Sequence, residues 1–574
     1  MAVQLDKWVV PNPSLKITRS RFEMPHTHTT TINAGSLYPA ALWEVLPGDT
    51  FQIPVSSFVR MLTPIHPVMD NAFFELMFFF CANRLSWEHW KEFMGESQDP
   101  FMSDTEYTIP QIKLVNVKKG SIYDHYEIPQ FSNEGLVPLL SIDAMPIRQY
   151  GLIWNEWYRD QNVSHVLDVD TSDSDRTVYD TFGDTDSWFT SGDEIVLDWM
   201  SGRPLPVAKY HDLFTSALPQ PQRGELSAMP LTSTYAEGLP VFTSTQQVPF
   251  DLSSMPPMKM VTETGSNVTS GYLTSQGDGT VQQKLAADAG SGTLVNLLPS
   301  NLFADTSFTS ITIETFRRAY AIQSLLERDA RSGNRYVEYV EAAFGVRSPD
   351  GRQQRPEFIG GKRIPLTMTQ VPQTSATNEV SPQGNTAAFS LTRDRDNMVT
   401  YSATEHGFIH CLICVRTEHT YQQGIDRHWF RKRRFDFYDP MLANLSEMGI
   451  QNQELVFIPG ASDNEEIFGY NEAWYEYRYK QSRVTGEMSS LYNQSLHAWH
   501  YADIFGAWNP NHTNFNASRP TLSPEFIYET KENVARTLSV DSSNANQFYV
   551  QLGFDTVVTR PLPLYSVPGL AGHF

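Results

Sequence analysis

The residues best suited to chemistry form one run of cations and aromatics, Arg427–Phe435, reading RHWFRKRRF. Arg427, Arg431, Lys432, Arg433 and Arg434 place five cations within eight residues, interleaved with Trp429, Phe430 and Phe435. Cations neutralise phosphates, and aromatic faces stack on unpaired bases, worth about 1–3 kcal/mol per base. The run is a candidate contact for single-stranded nucleic acid. The plainer alternative is a strand whose cations pair with carboxylates such as Asp426 and Asp436.

Other constellations carry less. Cys411-Leu412-Ile413-Cys414, with His406, His410 and His419 nearby, has the outline of half a zinc site or a redox pair. On a strand, however, residues of opposite parity point to opposite faces. His406, His410 and Cys414 share a parity, but their four-residue spacing spans about 13 Å, against metal bonds of about 2 Å. Core packing is therefore expected for these cysteines and for Cys81, as suits thiols in a reducing compartment. His26 and His28 share a face in PHTHTTT, where a polar strand or loop is expected rather than a metal site.

The tract 168–198 carries Asp168, Asp170, Asp173, Asp175, Asp180, Asp184, Asp186, Asp193, Glu194 and Asp198. Calcium-loop order fails there, because Asp173 stands where the loop needs Gly and Tyr179 where it needs Glu. A solvated acidic loop is expected. The patterns G-x-x-x-x-G-K-[ST], H-E-x-x-H and G-x-S-x-G do not occur, so no catalytic residue, metal or cofactor is assigned and no enzyme is expected.

The elements that must position these residues read mainly as strands. Asp49–Leu62 alternates, with Phe51, Ile53, Val55, Val59 and Met61 on one parity and Gln52, Ser56 and Arg60 on the other. That is a half-buried strand. Phe548–Arg560 alternates in the same way, with Phe548, Val550, Leu552, Phe554 and Val558 facing inward. Phe73–Ala82 and Phe408–Val415 are apolar on both parities, as strands covered on both faces are. Asn83–Gly95 reads as one helix with Ser86 as N-cap and Trp87, Trp90 and Phe93 on a packing face. Ile313–Arg331 is the clearest helix, with Ile313, Phe316, Tyr320 and Leu326 at helical spacing and Gly333 as its stop.

Composition narrows the classes further. The 574 residues carry a net charge of −22, which excludes a protein that coats nucleic acid with its whole surface but allows a local basic patch. Charged residues are only 19% and aromatics 12%, the balance of a chain that hides much surface, in part against partners. MAVQLDKWVVPNPSL lacks an apolar signal core, and the longest apolar run, Leu76–Ala82, has seven residues against about twenty for a membrane helix. A protein made in the cytoplasm without membrane insertion is expected. Between about 226 and 310, Ser, Thr, Gly and Pro dominate while Val241, Phe242, Phe250 and Tyr272 recur, as in an ordered surface insertion.

Several long stretches resemble, in collinear order, the major capsid proteins of gokushovirus-type Microviridae, small single-stranded-DNA bacteriophages. They include PVSSFVRMLTPIHPVMDNAFFELMFFFCANRLSWEHWKEFMGE, PIRQYGLIWNEWYRDQN, IQSLLERDARSGNRYVE, TYQQGIDRHWFRKRRFDFYDP and EEIFGYNEAWYEYRYKQSRVTGEM. The match spans nearly the whole chain and is weakest in 226–310 and the acidic tract.

This resemblance implies a mainly β fold: one eight-stranded antiparallel jelly roll with long loop insertions containing some helices. It implies a core made by 1–225 and 311–574 and a variable surface insertion at 226–310 that forms a threefold protrusion for host attachment. There, three copies of Val241, Phe242, Phe250 and Tyr272 could be buried together. About sixty copies would build a T=1 icosahedral shell around circular single-stranded DNA, assembled in the bacterial cytoplasm. A small basic DNA-binding phage protein and a host receptor are the further partners implied. The competing class is a secreted or spike-like β-sandwich that binds carbohydrate, to which aromatic richness also points.

Overall fold

A computed structural model describes residues 18–94, 107–133, 137–183, 199–224, 354–374, 383–384, 386–492, 494–506, 519–540 and 545–565, the helix 313–332, and short strands within 225–312. Eight longer strands make up its centre: β1 (Ser20–Ile32), β2 (Tyr38–Val45), β3 (Thr50–Met61), β4 (Ala72–Ala82), β5 (Glu357–Pro365), β6 (Thr392–Ser402), β7 (Gly407–Thr417) and β8 (Phe548–Arg560). They pair antiparallel in two four-stranded sheets, ordered β1-β8-β3-β6 and β5-β4-β7-β2. First and last strands are neighbours, with Ser20 opposite Arg560 and Ile32 opposite Phe548.

Phe51, Ile53, Val55 and Val59 of β3 and Phe548 to Val558 of β8 share one core with Phe74, Leu76 and Phe78 of β4 and Ile409, Cys411 and Ile413 of β7. The alternation expected of β3 and β8 is observed, with Gln52, Arg60, Gln551 and Asp555 on the solvent side. β4 and β7 are buried on both faces, as their unbroken apolar runs predict. Their outer face is covered by α1 (Met145–Ile153) and a small sheet of Gln111–Leu114, Leu140–Asp143 and Arg176–Val178. A second core joins Phe79, Leu412 and Cys414 to Tyr123, Tyr150, Trp154 and Trp199. Cys411 thus faces one core and Cys414 the other, and all three cysteines are free and buried. A third core, around Phe214, Tyr421, Ile450, Phe468, Tyr475 and Phe526, organises the long excursion between β7 and β8.

One expected element is different. Asn83–Gly95 is not a single helix but two short turns, Asn83–Ser86 and Trp90–Phe93. Ser86 ends the first turn, its hydroxyl donating to the Asn83 carbonyl at 3.0 Å, and caps nothing. The chain is pulled extended at Trp87 because its indole donates to Asp173 at 2.6 Å and the Glu88 N–H bonds the Thr171 carbonyl. Trp87, Trp90 and Phe93 do pack on one another, with ring centroids 5.3–6.3 Å apart.

Gln222–Arg328 is a separate compact unit. Its described strands pair concentrically. Thr232–Ser233 joins Thr309–Ser310, Val241–Thr243 joins Leu302–Ala304, Met260–Thr262 joins Leu297–Pro299, and Gly271–Ser275 joins Val281–Leu285. The segment therefore runs out and back along its own path. α2 (Ile313–Ser332) follows, as its spacing predicts, but Phe316, Tyr320, Ile322 and Leu325 on it are exposed. Gly333 lies outside the described residues. No helix among the described residues is long and apolar enough to cross a membrane.

Candidate nucleic-acid interface

The run 427–435 is carried on the excursion that leaves β7. Its root is a buried polar cluster. His419 Nδ1 lies 3.0 Å from Asp503 and Nε2 2.8 Å from Glu529, while Lys209 Nζ reaches Asp503 at 3.3 Å. Burial alone would lower the pKa of His419, but Asp503 and Glu529 outweigh it and hold the ring as an imidazolium with a pKa of about 10. Beyond this root the chain passes so close to the Glu454 carbonyl that only glycine fits at 424.

The run is not a strand. It is two 3-10 turns, Arg427–Trp429 and Arg434–Asp436, joined by an irregular link. Two of its cations are spent on the protein itself. Arg427 donates to the Gly449 carbonyl at 2.8 Å, the Tyr475 hydroxyl at 2.7 Å and Glu454 at 3.2 Å. Burial lowers the pKa of Arg427, yet Tyr475 and Glu454 beside it leave it above its ordinary value. Arg431 donates to Glu476 at 3.0 Å and lies 4.8 Å from the Tyr477 ring centre. The carboxylates named from sequence do something else. Asp426 accepts from Lys480 and Arg483, and Asp436 accepts the backbone N–H groups of Lys432 and Arg433, which hold its carboxyl below the usual range.

The remaining side chains face solvent. Trp429 and Phe435 are each 75% exposed, and Phe430 is half-buried. Lys432 pairs with Glu465 at 3.2 Å, but both side chains are exposed, so the pair is worth little. Arg433 and Arg434 are exposed, and no carboxylate among the described residues lies within ion-pair distance of either. Phe437, Tyr438, Tyr477 and Tyr479 extend the same exposed aromatic group. The last two come from WYEYRYK, Trp474–Lys480, whose alternation of rings and cations is the signal that points to them. Trp474 itself takes a left-handed backbone (φ 65°), leaving Tyr475 buried while Tyr477 is exposed. Unpaired guanidinium groups beside bare aromatic faces are what an unpaired, phosphate-linked strand needs.

The other sequence candidates fall elsewhere. Val241 and Phe242 share one ladder, Phe242 opposite Phe303, and Tyr272 stands in another ladder opposite Lys284. Phe250 and the acidic positions 184–198 lie outside the described residues. Where the acidic tract is described, it is not simply solvated. Asp180 is fully buried and accepts the N–H groups of Lys118 at 2.8 Å and Phe182 at 3.0 Å. Asp173 bonds Trp87 and His89, and Asp175 bonds Lys113. The tract's carboxylates serve as local tethers. His26 stacks on Phe554 at 4.9 Å, and His28 lies 3.4 Å from Glu127. Among the described residues no three His, Cys, Asp or Glu side chains gather to hold a metal.

A family model described as "Capsid protein (F protein)" matches residues 12–570. The chain is 37% identical to the capsid protein VP1 of Spiroplasma virus 4 over 567 residues, covering 96% of each. It is 35% identical to the capsid protein VP1 of Bdellovibrio phage phiMH2K over 568 residues, 98% of this chain and 97% of that one. Against the capsid protein VP1 of Chlamydia phage 1 it is 33% identical over 600 aligned positions, 97% and 96% of the two.

Proposed function

The chain belongs to the phage capsid protein (F protein) family, as a gokushovirus-type member and a structural protein of the virion; from that premise we propose that it builds a T=1 icosahedral shell around circular single-stranded DNA. The observation that carries this reading is the match over almost the entire length, residues 12–570. About sixty copies would close the shell. Its wall would be an eight-stranded jelly roll, a reading supported by two four-stranded antiparallel sheets in which the first and last strands are neighbours.

Lys432, Arg433 and Arg434 with Trp429 and Phe435 face the interior in this reading and contact the genome. Arg427 and Arg431 hold the loop that presents them. A chain of net charge −22 leaves most phosphate charge to be neutralised by another component, for which a small basic phage protein is the natural candidate. The concentric ladders of 232–310 form the surface element that attaches to the host receptor. The test is to replace Lys432, Arg433 and Arg434 with Gln and measure DNA per shell. DNA content falls more than shell yield if the loop contacts the genome; unchanged DNA content, or a position on the outer surface, overturns it.

A further inference from the structure

The exposed aromatic group does not end where its cations end. Between Arg434 and Arg478 the sequence has no Lys, Arg or His, while it carries nine carboxylates. Phosphate contact needs cations, so a surface built from this stretch does not suit the genome. It is nevertheless apolar and bare. Phe437, Tyr438, Leu445 and Tyr477 are each about half exposed, and Met441 is 91% exposed. The Tyr438 ring centre lies 6.0 Å from that of Tyr477 and 5.6 Å from that of Trp474. The Arg431 guanidinium joins Phe437 to the same patch, 5.3 Å from its ring centre and 4.8 Å from that of Tyr477. Its charge is already met by Glu476.

The patch is held in shape by the subunit's own bonds. Asp439 caps the turn Pro440–Leu442 by accepting the Met441 N–H at 2.9 Å, and the Trp474 indole donates to the Leu442 carbonyl at 2.9 Å. Met441 is thus carried outward on a fixed turn. Trp474 keeps its left-handed backbone, a costly conformation for so large a residue, and sets its ring against Tyr438. Apolar side chains fixed in advance lose little entropy on docking, as the anchors of protein interfaces do.

We propose that Phe437, Tyr438, Met441, Leu445 and Tyr477 form a contact between two copies of this chain. At about 200 Å² per large side chain, their exposed parts amount to on the order of 500 Å². That is more than half of the roughly 800 Å² each partner contributes to a standard interface, and apolar patches of this size on a single chain mark interaction sites. A second copy is the occupant because every subunit carries the patch, and the chain itself is present in the number needed to cover each one. The inference rests on the reading that the chain builds a shell. It places the contact just beyond Arg433 and Arg434 in the sequence, so one loop serves genome and neighbour together.

The experiment replaces Met441 with p-benzoylphenylalanine in the full-length protein, assembled with its companion phage proteins and irradiated. Products are read on denaturing gels and mapped by peptide mass spectrometry. A covalent dimer of the chain is expected. Crosslinks to DNA alone or to a companion protein alone overturn the contact, and so does the absence of any crosslink in particles that do form. Met441→Glu is the second arm, on a side chain exposed enough that the unfolding midpoint of the subunit should not move. Particle yield should fall about tenfold or more, with DNA per particle unchanged in those that form. That is the reverse of the pattern expected on replacing Lys432, Arg433 and Arg434 with Gln. Unchanged particle yield overturns the contact and leaves the shell reading standing. If the unsubstituted protein forms no particles, the shell reading fails and the contact fails with it.

Discussion

Arg427 and Arg433 sit in one basic run, and their surroundings give them opposite roles. Arg427 faces Glu454 and Tyr475 in a nearly closed site, so Arg427→Gln leaves a buried carboxylate without its cation. That loss costs about 3–5 kcal/mol, measurable as a lowered unfolding midpoint of the subunit. Arg433→Gln, on an exposed side chain, should shift stability by no more than about 0.5 kcal/mol. The division was not legible in the sequence, because the deciding partners, Glu454 and Glu476, are brought to the run only by the third core. The composition of the run, by contrast, was enough to mark it.

His419 carries a pH dependence at the same scale. Its folded pKa of about 10 lies above its ordinary value of 6.5, so its contribution is full below about 6.5 and is lost as pH rises through 10. Asp503 works in the other sense. Burial opposes its charge, but His419 and Lys209 hold its pKa below 3.8, so its contribution is present above that value and lost in acid. The cluster is strongest between about pH 4 and 6.5. Unfolding midpoints of the wild type should fall between pH 6.5 and 10, and His419→Gln should lose most of that slope.

At the scale of elements, strands whose apolar pattern reports their burial were readable, and a helix broken by contacts from a distant loop was not. β3 and β8 alternate because one face meets the core and the other meets water. β4 and β7 carry unbroken apolar runs because α1 and the small sheet cover their second face. The helix expected at 83–95 broke for a reason absent from its own residues, the grip of Thr171 and Asp173 on Trp87 and Glu88. The insertion offers a test of this element-level account. Thr232–Ser233 and Thr309–Ser310 are antiparallel partners, so their ends lie about 5 Å apart. A short Gly/Ser linker in place of 234–308 therefore closes the chain at little entropic cost. Shells should still form while attachment to host cells is lost. Failure to assemble would make the segment part of the wall, and unimpaired attachment would place the receptor site elsewhere.

At the scale of the whole molecule, the low charge fraction and high aromatic content have a visible counterpart. Large apolar side chains stay exposed on the single chain, among them Trp429, Phe435, Met441, Tyr320 and Phe316. Where such groups are contiguous, as Tyr438 and Tyr477 are with ring centroids 6.0 Å apart, they mark surfaces that meet partners. Self-association was thus implied by composition, while the particular faces depended on the folded chain. The most direct measurement is electron microscopy of the purified full-length protein, co-expressed with its companion phage proteins. Closed icosahedral particles of about sixty copies are expected; a protein that stays a monomer or a small oligomer at high concentration contradicts the account.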